Sequence, residues 1–275
     1  MLLSLALAVL IFMTVVMVAA WLFGLARANG GWTDVFWTFG SGLALAGSAL
    51  VPLEHGGLPG PRQWLVAALV AIWALRLGGY IAGRVARHGE DPRYAKFRAD
   101  WGPRYGRNML FVTLPQAPAT ALLAFSVLVA ARSPAGHLGL RDLMGVVILA
   151  AAIGGEALAD SQMKRFQAAR AGQARPAGQL VCDTGLWGWS RHPNYFFEWF
   201  GWLAYPVIGL DLAHPLTWLS FAAPLVMYVL LTRISGVPPL EEAMLRSRPD
   251  AYRAYQARVS RFFPLPPRRP QPLSA

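Results

Sequence analysis

Long apolar runs constrain the fold of this sequence more than any other feature. A bilayer core about 30 Å thick needs roughly 20 apolar residues in each spanning helix, and seven segments approach that length. They are Leu2 to Leu25, Trp32 to Val51, Trp64 to Gly83, Met109 to Ala131, Leu143 to Ala159, Tyr195 to Leu210 and Pro215 to Leu231. Because only 14% of the residues are charged, an ordinary soluble surface is excluded. The sequence therefore predicts an all-α, polytopic membrane protein with about seven transmembrane helices.

The distribution of basic residues predicts the orientation of these helices. Most of the 25 Lys and Arg residues lie in three segments that a seven-helix count places on one side. The segments are 84–107, 164–191 and 233–269. The opposite loops carry only Arg62, Arg132 and Arg141. By the positive-inside rule we expect an integral protein of a bacterial inner membrane, with its N-terminus outside and its basic loops and C-terminus in the cytoplasm.

The strongly basic balance narrows the classes of partner. The formal charge is +11, but the charges alternate with membrane spans and no nucleic-acid-binding module is recognisable, so nucleic acid is not an expected partner. Anionic lipid headgroups and a phosphorylated cofactor both stay open. No metal site is expected, because Cys182 is the single cysteine and the five histidines are scattered.

The C-terminal part of the chain differs in composition from the apolar runs. Residues 238–267 alternate apolar and charged groups at helical spacing, which is typical of an amphipathic helix on the membrane surface or a lid over a cavity. We expect a single membrane domain over 1–267. Residues 268–275 are rich in proline and arginine, and we expect a mobile tail there.

The stretch "WGWSRHPNYFFEW" gathers polar groups between two aromatic blocks. Pro193 suits the first turn of a helix, whose free amides and positive dipole end form an anion site. Arg191 adds a phosphate donor, His192 a second donor if protonated, and Asn194 both donor and acceptor groups. Glu198 follows on the same face, one turn deeper. The alternative is an interfacial anchor with an aromatic belt, but this does not account for Asn194 and Glu198.

Ionisable groups inside predicted spans are costly and indicate function. In "WALRLGGYIAGR", Arg76 and Tyr80 share one helix face with Arg84 and Arg87. This face either pairs with Glu156 as contact between helices or lines a polar cavity that opens to the cytoplasm. The sequence favours the cavity.

Three acidic or basic groups outside that face have both a structural and a functional interpretation. Asp34 at the start of the second span either caps the helix or acts in a site. Asp160 either pairs with Lys164 or accepts hydrogen bonds from a ribose hydroxyl. Arg93 in "GEDPRY" belongs to a mixed-charge segment, 88–108, whose basic residues either face solvent or contact a ligand.

These motifs resemble one known family. "GLWGWSRHPNYFFEW" and "LEEAMLRSRPDAYRAYQARVSRFFPLPP", with "GEDPRY" and "TDVFW", are similar to the steroid 5-alpha-reductase-like family, in its bacterial branch long described as a domain of unknown function. The similarity runs from about Asp34 to Pro267 and is strongest from residue 145 onward. It implies a seven-helix membrane reductase that binds NADPH in a cavity open to the cytoplasm. The implied reaction is reduction of a carbon–carbon double bond conjugated to a carbonyl, in a lipophilic, steroid-like or isoprenoid substrate.

The resemblance, together with the arginines near the third span, names the site residues. The cofactor-binding candidates are Arg84, Arg87, Arg93, Asp160, Arg191, His192, Asn194, Tyr195, Glu198, Tyr252 and Tyr255. Hydride attack on an enone develops negative charge on its oxygen, so a buried acid is needed there. Asp34 and Tyr80 are the catalytic candidates. The chain departs from the eukaryotic steroid reductases by lacking their Gln-Glu pair in the second span and by having Trp73 in place of a tyrosine.

Two other functions are compatible with the same residues. Isoprenylcysteine and phospholipid methyltransferases share the "RHP" and "EE" motifs, and the sulfonium of S-adenosylmethionine would favour Glu198, Glu241 or Glu242 as neighbours. The third candidate is a non-catalytic lipid-binding protein. The arginines around "GEDPRY" favour the reductase, because the phosphates of NADPH need several cations.

Overall fold

The computed structural model describes residues 1–53, 57–88, 90–133, 137–171 and 180–268. Within these ranges the regular elements are helical, and an isolated parallel bridge joins Ser190 to Ser260. The prediction of an all-α chain is confirmed for this part of the molecule. From residue 269 onward, the predicted mobile tail lies outside the described residues.

Twelve α-helices are present in the described ranges. They are α1 Leu2–Ala26, α2 Trp32–Ala49, α3 Pro61–His88, α4 Pro92–Trp101, α5 Tyr105–Thr113, α6 Gln116–Ala131, α7 Leu140–Ala171, α8 Pro193–Gly201, α9 Ala204–Gly209, α10 Ala222–Val229, α11 Val237–Ser247 and α12 Pro249–Arg258. Short 3₁₀ turns precede α5, α8 and α10. α7 contains the predicted fifth span and runs on without a break into the basic segment, to Ala171.

Five helical segments of the described residues are long and apolar enough to cross a membrane. They are Leu2–Ala26, Pro61–Arg87, Arg93–Ala131, Leu140–Arg170 and Pro215–Ser247. These segments support a membrane protein, whereas the count of seven is not confirmed. The predicted second span forms α2, but its polar residues, Asp34 among them, lower its hydropathy. The predicted sixth span is interrupted between α8 and α9, because Pro206 has no amide proton to continue the α8 ladder.

The chain divides into two compact units. The first comprises Met1–Val147 and Leu203–Val226, and the second comprises Ile148–Trp202 and Met227–Ala275. In the first unit α2 packs against α1 and α3, and α6 contacts all three. Gly42 of α2 lies directly against Ala74 of α3, so the absence of a side chain lets the two helices approach closely. That residues 1–267 form a single domain stays a prediction.

A buried ion pair joins the starts of α3 and α7 in the first unit. Arg62 Nε lies 2.7 Å from Asp142 Oδ1, and Nη2 lies 2.8 Å from Oδ2. The backbone amide of Gly139 donates to the same carboxylate at 2.8 Å. A bidentate pair of this kind fixes orientation as well as distance. It therefore sets how the two helices begin relative to each other.

The second unit is built from the C-terminal part of α7 with α8, α11 and α12. One of its apolar clusters is formed by Val181, Tyr252, Tyr255 and Val259, with Met244 and Leu245 against it. A second group is aromatic. It consists of Phe196, Trp199, Phe200, Tyr228, Phe262 and Phe263. The aromatic group packs the chain after α12 against α8.

Candidate functional site

The helix start predicted in "RHPNY" is present. α8 begins at Pro193, with His192 as its N-cap residue. Just before it, the chain runs beside the segment that follows α12: the amide of Arg191 donates to Ser260 O at 2.8 Å, and Ser190 Oγ donates to Phe262 O at 2.7 Å. The C-terminal segment is therefore attached by backbone hydrogen bonds to the motif that opens α8.

The loop before the motif is held on α7. The indole Nε1 of Trp187 donates to Ala159 O at 3.0 Å, and Gln162 Oε1 accepts from the amide of Leu186 at 3.0 Å. Gly185 has a φ of +60°, a conformation that costs a side-chain-bearing residue about 1–2 kcal/mol. The side chain of Gln162 packs directly against Gly185, where a Cβ would clash with it. These contacts fix the entry of the chain into α8.

Arg191 is engaged within the second unit. Its Nε lies 2.7 Å from Glu241 Oε1 and its Nη1 donates to Val259 O at 2.7 Å. The residue is 9% exposed. The predicted phosphate donor thus has its charge balanced by a carboxylate from α11. A phosphate would have to compete with this ion pair.

Glu241 is the centre of a hydrogen-bond network that joins the two motifs. Its carboxylate contacts Arg191, His192, Tyr252, Gln256 and Arg261 at 2.7 to 3.8 Å. The reductase interpretation did not include Glu241. In the sequence it belongs to the "EE" pair, which does not show which glutamate is buried. In the fold Glu241 faces the network, whereas Glu242 forms an exposed pair with Arg246.

His192 is buried and neutral at physiological pH. Burial lowers its pKa, and the hydrogen bond to Glu241 raises it only in part. Its ring stacks on Tyr195 with centroids 5.9 Å apart and planes inclined by 12°. The expectation of a second cationic donor required a protonated ring, which this environment disfavours.

The two C-terminal tyrosines use their hydroxyls within the unit. Tyr252 OH donates to Glu241 Oε1 at 3.2 Å, and Tyr255 OH donates to Trp187 O at 2.6 Å. Each residue is 3% exposed. Burial raises the pKa of both phenols, so they remain protonated donors. Tyr252 thus attaches α12 to α11, and Tyr255 attaches α12 to the loop before α8.

α7 and α8 pack against each other in antiparallel order. The ring of Phe197 lies on Gly155, and Gly201 lies near Ala152. This register brings Glu156 to the level of Glu198, and Asp160, one turn away, to the level of Asn194. Glu156, Asp160 and Glu198 are each 7% exposed. The helix pair therefore carries polar groups at two successive levels inside an apolar unit.

Two of these groups differ in how they are held. Glu198 Oε1 accepts from Trp202 Nε1 at 3.1 Å, one turn along α8. Asn194 is half-buried on the first turn of α8, and within the described ranges its carboxamide makes no hydrogen bond. An amide with both donor and acceptor capacity at a helix N-terminus is suited to a neutral, polar ligand group.

Two predicted residues of the first unit, Arg84 and Arg93, meet around an unpredicted one, Asp91. Asp91 caps α4, accepting from the amide of Arg93 at 3.0 Å. It also pairs with Arg93 Nε at 3.0 Å and with Arg84 Nη2 at 3.1 Å. Burial alone would raise the pKa of Asp91, but the bonds from Arg93 lower it. "GEDPRY" thus forms an ion-pair network with α3.

Asp34 belongs to the same network. Its Oδ2 lies 2.8 Å from Arg93 Nη2, and its Oδ1 accepts from Tyr94 OH at 2.8 Å. The interpretation of Asp34 as a helix cap is wrong, because α2 begins after Gly31 without a side-chain cap, from Asp34 or from its neighbour Thr33. Thr33 Oγ1 is instead buried without a hydrogen-bond partner among the described residues.

The other acid of "GEDPRY" also has a structural partner. Glu90 accepts from the amide of Gly30 at 2.7 Å and from Arg98 Nη2 at 2.9 Å. Burial would raise its pKa, but these hydrogen bonds outweigh that effect and lower it. The guanidinium of Arg98 in turn covers the ring of Tyr105, 4.1 Å from its centroid.

The third helix carries the remaining candidates of the first unit. Arg76 lies over the ring of Tyr80, 5.7 Å from the centroid. Arg87 is exposed, and in the described part of the chain it makes no ion pair. Of the predicted arginines of this unit, Arg84 and Arg93 are thus paired with acids, whereas Arg87 is available to an anion.

The candidates divide between the two compact units. Asp34, Tyr80, Arg84, Arg87 and Arg93 belong to the first, and Asp160, Arg191, His192, Asn194, Tyr195, Glu198, Tyr252 and Tyr255 belong to the second. Each unit contains a network around an acid that the reductase interpretation did not include. These acids are Asp91 and Glu241.

Comparisons with known proteins identify relatives of the chain. Residues 20–259 match the family described as protein of unknown function DUF1295. An uncharacterized protein of Schizosaccharomyces pombe is 38% identical over 82 residues, which cover 30% of this chain. The aligned part spans 23% of that relative's length. No solved structure matches the chain.

Proposed function

Because the chain belongs to the DUF1295 family, a steroid 5-alpha-reductase-like membrane family, we propose that it is a membrane-embedded, NADPH-dependent reductase. Its substrate is a lipophilic molecule with a carbon–carbon double bond conjugated to a carbonyl. The proposal includes seven transmembrane segments, with α2 and the α8–α9 pair added to the five apolar ones. It also includes a bacterial inner membrane, an external N-terminus and a cytoplasmic C-terminus, by the positive-inside rule.

The observation that carries the proposal is the polar content of the α7–α8 pair. Burying Glu156, Asp160 and Glu198 in a unit this apolar is costly unless they contact other polar groups. Helices that only pack against each other do not need buried carboxyl groups at two successive turns. Beside them, Asn194 makes no hydrogen bond within the described ranges. This combination supports a ligand that brings hydroxyl and amide groups.

The residues of the second unit fit the neutral parts of NADPH. The carboxylate of Asp160 accepts hydrogen bonds from ribose hydroxyls, and the carboxamide of Asn194 complements an amide. The free amides of the first turn of α8 suit a phosphate. When bound, NADPH supplies the hydride for the reduction. The protein must hold the substrate carbonyl, exclude water and provide one proton.

Tyr80 is the better of the two predicted proton donors. Both oxygens of Asp34 already accept hydrogen bonds, from Arg93 and Tyr94. A carboxylate engaged in this way positions the neighbouring segment. A phenol near a guanidinium, like Tyr80 beside Arg76, is suited to donate a hydrogen bond to a developing oxyanion.

One experiment tests the cofactor. The detergent-purified protein is titrated with NADPH, NADH and S-adenosylmethionine while its melting temperature is recorded. A ligand at 100 times its Kd adds about 2.7 kcal/mol to native-state stability, which corresponds to a shift of about 5–10 °C. We expect NADPH to give this shift. If S-adenosylmethionine alone stabilises the protein, the reductase proposal is wrong.

The variant Asn194→Ala localises the effect. We expect it to abolish the NADPH shift with little change in the unliganded melting temperature, because its carboxamide bonds to no described residue. The matched control is Asn108→Ala, which changes another half-buried asparagine on the first turn of a helix, α5. A normal NADPH shift in Asn194→Ala would contradict the assignment of this helix start.

The engagement of Arg191 favours one second candidate. With Glu241 on Arg191 and His192 neutral, the "RHP" motif offers little cationic charge to a phosphate. A methyltransferase that binds S-adenosylmethionine needs no such charge, and its sulfonium would be attracted by Glu198. The same titration distinguishes the two cofactors. Loss of response to both would favour a non-catalytic lipid-binding protein.

A further inference from the structure

An open apolar groove runs between α1 and α2 of the first unit. Its cavity volume is about 260 Å³. The lining residues are Leu5, Ala8, Val9, Phe12, Leu43, Ala44, Gly47, Ser48 and Val51. Sites that enclose a whole small molecule have volumes of roughly 300–1,000 Å³. The groove therefore fits part of a long apolar molecule, such as a segment of an acyl chain.

A cation lies at one end of this groove. Arg132, which follows α6, donates from Nη2 to Ser48 O at 3.1 Å and to Val51 O at 3.2 Å. Because Ser48 and Val51 also line the groove, this nitrogen is attached to the groove wall. The guanidinium is thus held beside an apolar channel.

No carboxylate of the described residues compensates the charge of Arg132. It forms no ion pair with any residue that the structure describes, and its Nε and Nη1 are buried without a hydrogen-bond partner there. The comparison is Arg62, which is more deeply buried and has Asp142 as a bidentate partner. A half-buried cation without an anion is costly. An external anion would therefore stabilise it.

We propose that the α1–α2 groove binds one acyl chain of an anionic phospholipid whose phosphate pairs with Arg132. The apolar lining matches the acyl chain, and the cation at the end of the groove matches the phosphate. A lipid in a membrane presents these two parts in the same order. A free phosphate would not use the groove. A zwitterionic lipid such as phosphatidylcholine would bring a phosphate whose charge is already balanced by its own choline group. The site lies within the first unit and does not depend on the proposed reductase activity.

Gly47 gives a direct way to test the groove. A Cβ added at this exposed helical glycine meets no atom within 4 Å, so Gly47→Leu places a side chain at the groove without a clash at its first carbon. The matched control is Gly154→Leu on α7, another exposed helical glycine whose added Cβ meets open space. For the cation, Arg132→Gln is compared with Arg141→Gln. Arg141 is exposed and donates to a carbonyl, that of Leu210.

The measurement is native mass spectrometry of the detergent-purified protein with equal amounts of phosphatidylglycerol and phosphatidylcholine. We expect the wild type to retain one phosphatidylglycerol in preference. Gly47→Leu and Arg132→Gln should each lower its apparent affinity about tenfold, the change expected when one charge-assisted contact or its apolar counterpart is lost. The two control variants should bind as the wild type does.

Three outcomes would overturn the proposal. Equal retention of both lipids by the wild type would mean that the cation does not select an anionic headgroup. Unchanged binding in Gly47→Leu would mean that the acyl chain lies elsewhere, whatever the folding of Arg132→Gln. Suppression of phosphatidylglycerol binding by inorganic phosphate, with no effect of Gly47→Leu, would indicate a free anion site.

Discussion

Replacing Glu241 by glutamine should destabilise the protein far more than the same change one residue later. Glu241 carries the negative charge that faces Arg191, at 2.7 Å, and accepts from Tyr252. The two side chains of the ion pair are 13% and 9% exposed. Removing one partner of a buried pair costs about 3–5 kcal/mol, because the other charge stays buried without compensation. For a chain of this size the melting temperature should fall by about 6–20 °C.

Glu242→Gln is the matched control. Its carboxylate is 55% exposed and pairs only along the helix with Arg246 among the described residues. An exposed pair of this kind contributes less than about 1 kcal/mol. The assay is thermal unfolding in detergent followed by tryptophan fluorescence. If Glu241→Gln and Glu242→Gln melt within about 1 °C of each other, the network around Glu241 does not hold the C-terminal helices.

A second variant separates the ion pair from general packing damage. In Glu241→Gln the guanidinium of Arg191 stays buried without its carboxylate. Adding Arg191→Met to this variant removes that uncompensated charge. Replacement of both partners by uncharged groups should therefore cost less than the sum of the single changes, by about 0.5–3 kcal/mol. Additive losses would show that the two residues stabilise the unit independently.

The other predictions concern single groups in each unit. Burial lowers the pKa of His192 below its usual 6.5, so the unfolded chain takes up this proton at a higher pH than the folded chain does. The stability that depends on a neutral His192 should therefore be complete above about pH 6.5 and decrease as the pH is lowered. Melting curves recorded between pH 7.5 and 5 should show this decrease, and His192→Gln should reduce it. Asp34→Asn should cost about 1–3 kcal/mol by removing the acceptor of Arg93, measured as a lower urea midpoint; an unchanged midpoint would contradict it. Arg87→Gln should reduce the preference for NADPH over NADH in the thermal-shift titration, whereas Arg104→Gln, another exposed arginine, should not; equal effects of both variants would remove Arg87 from the cofactor site.

The helices could be predicted from the sequence where apolar length alone decides. α1, α3 and α7 carry long runs with few charges, and each helix contains its expected run, although α7 continues well past Ala159 to Ala171. The sixth span was predicted as one continuous helix, which is wrong. Hydropathy treats Pro206 as an ordinary residue, although it lacks the amide proton that a continuous helix needs. The start of α8 was predicted correctly, since Pro193 has a strong positional preference for the first turn.

The partners of the site residues could not be predicted in the same way. "GEDPRY" was assigned a ligand role for its arginine, but Asp91 and Asp34 already pair with Arg93. Neither pairing follows from spacing alone, because Asp34 lies 59 residues from Arg93 in the chain. Local sequence indicates which residues are charged. Only the fold determines which opposite charge each one meets.

The same reasoning changes what "RHPNY" offers a ligand. Arg191 and Glu241 are 50 residues apart, yet they form one buried pair, so the "RHP" and "EE" motifs act first as partners of each other. A motif that resembles an anion site can therefore be satisfied internally, with its cation used to hold the C-terminal helices. What remains at the start of α8 is uncharged: the backbone amides and the carboxamide of Asn194. Selectivity for a ligand at this helix start would then arise from hydrogen-bond geometry, because the charge of the motif is already balanced.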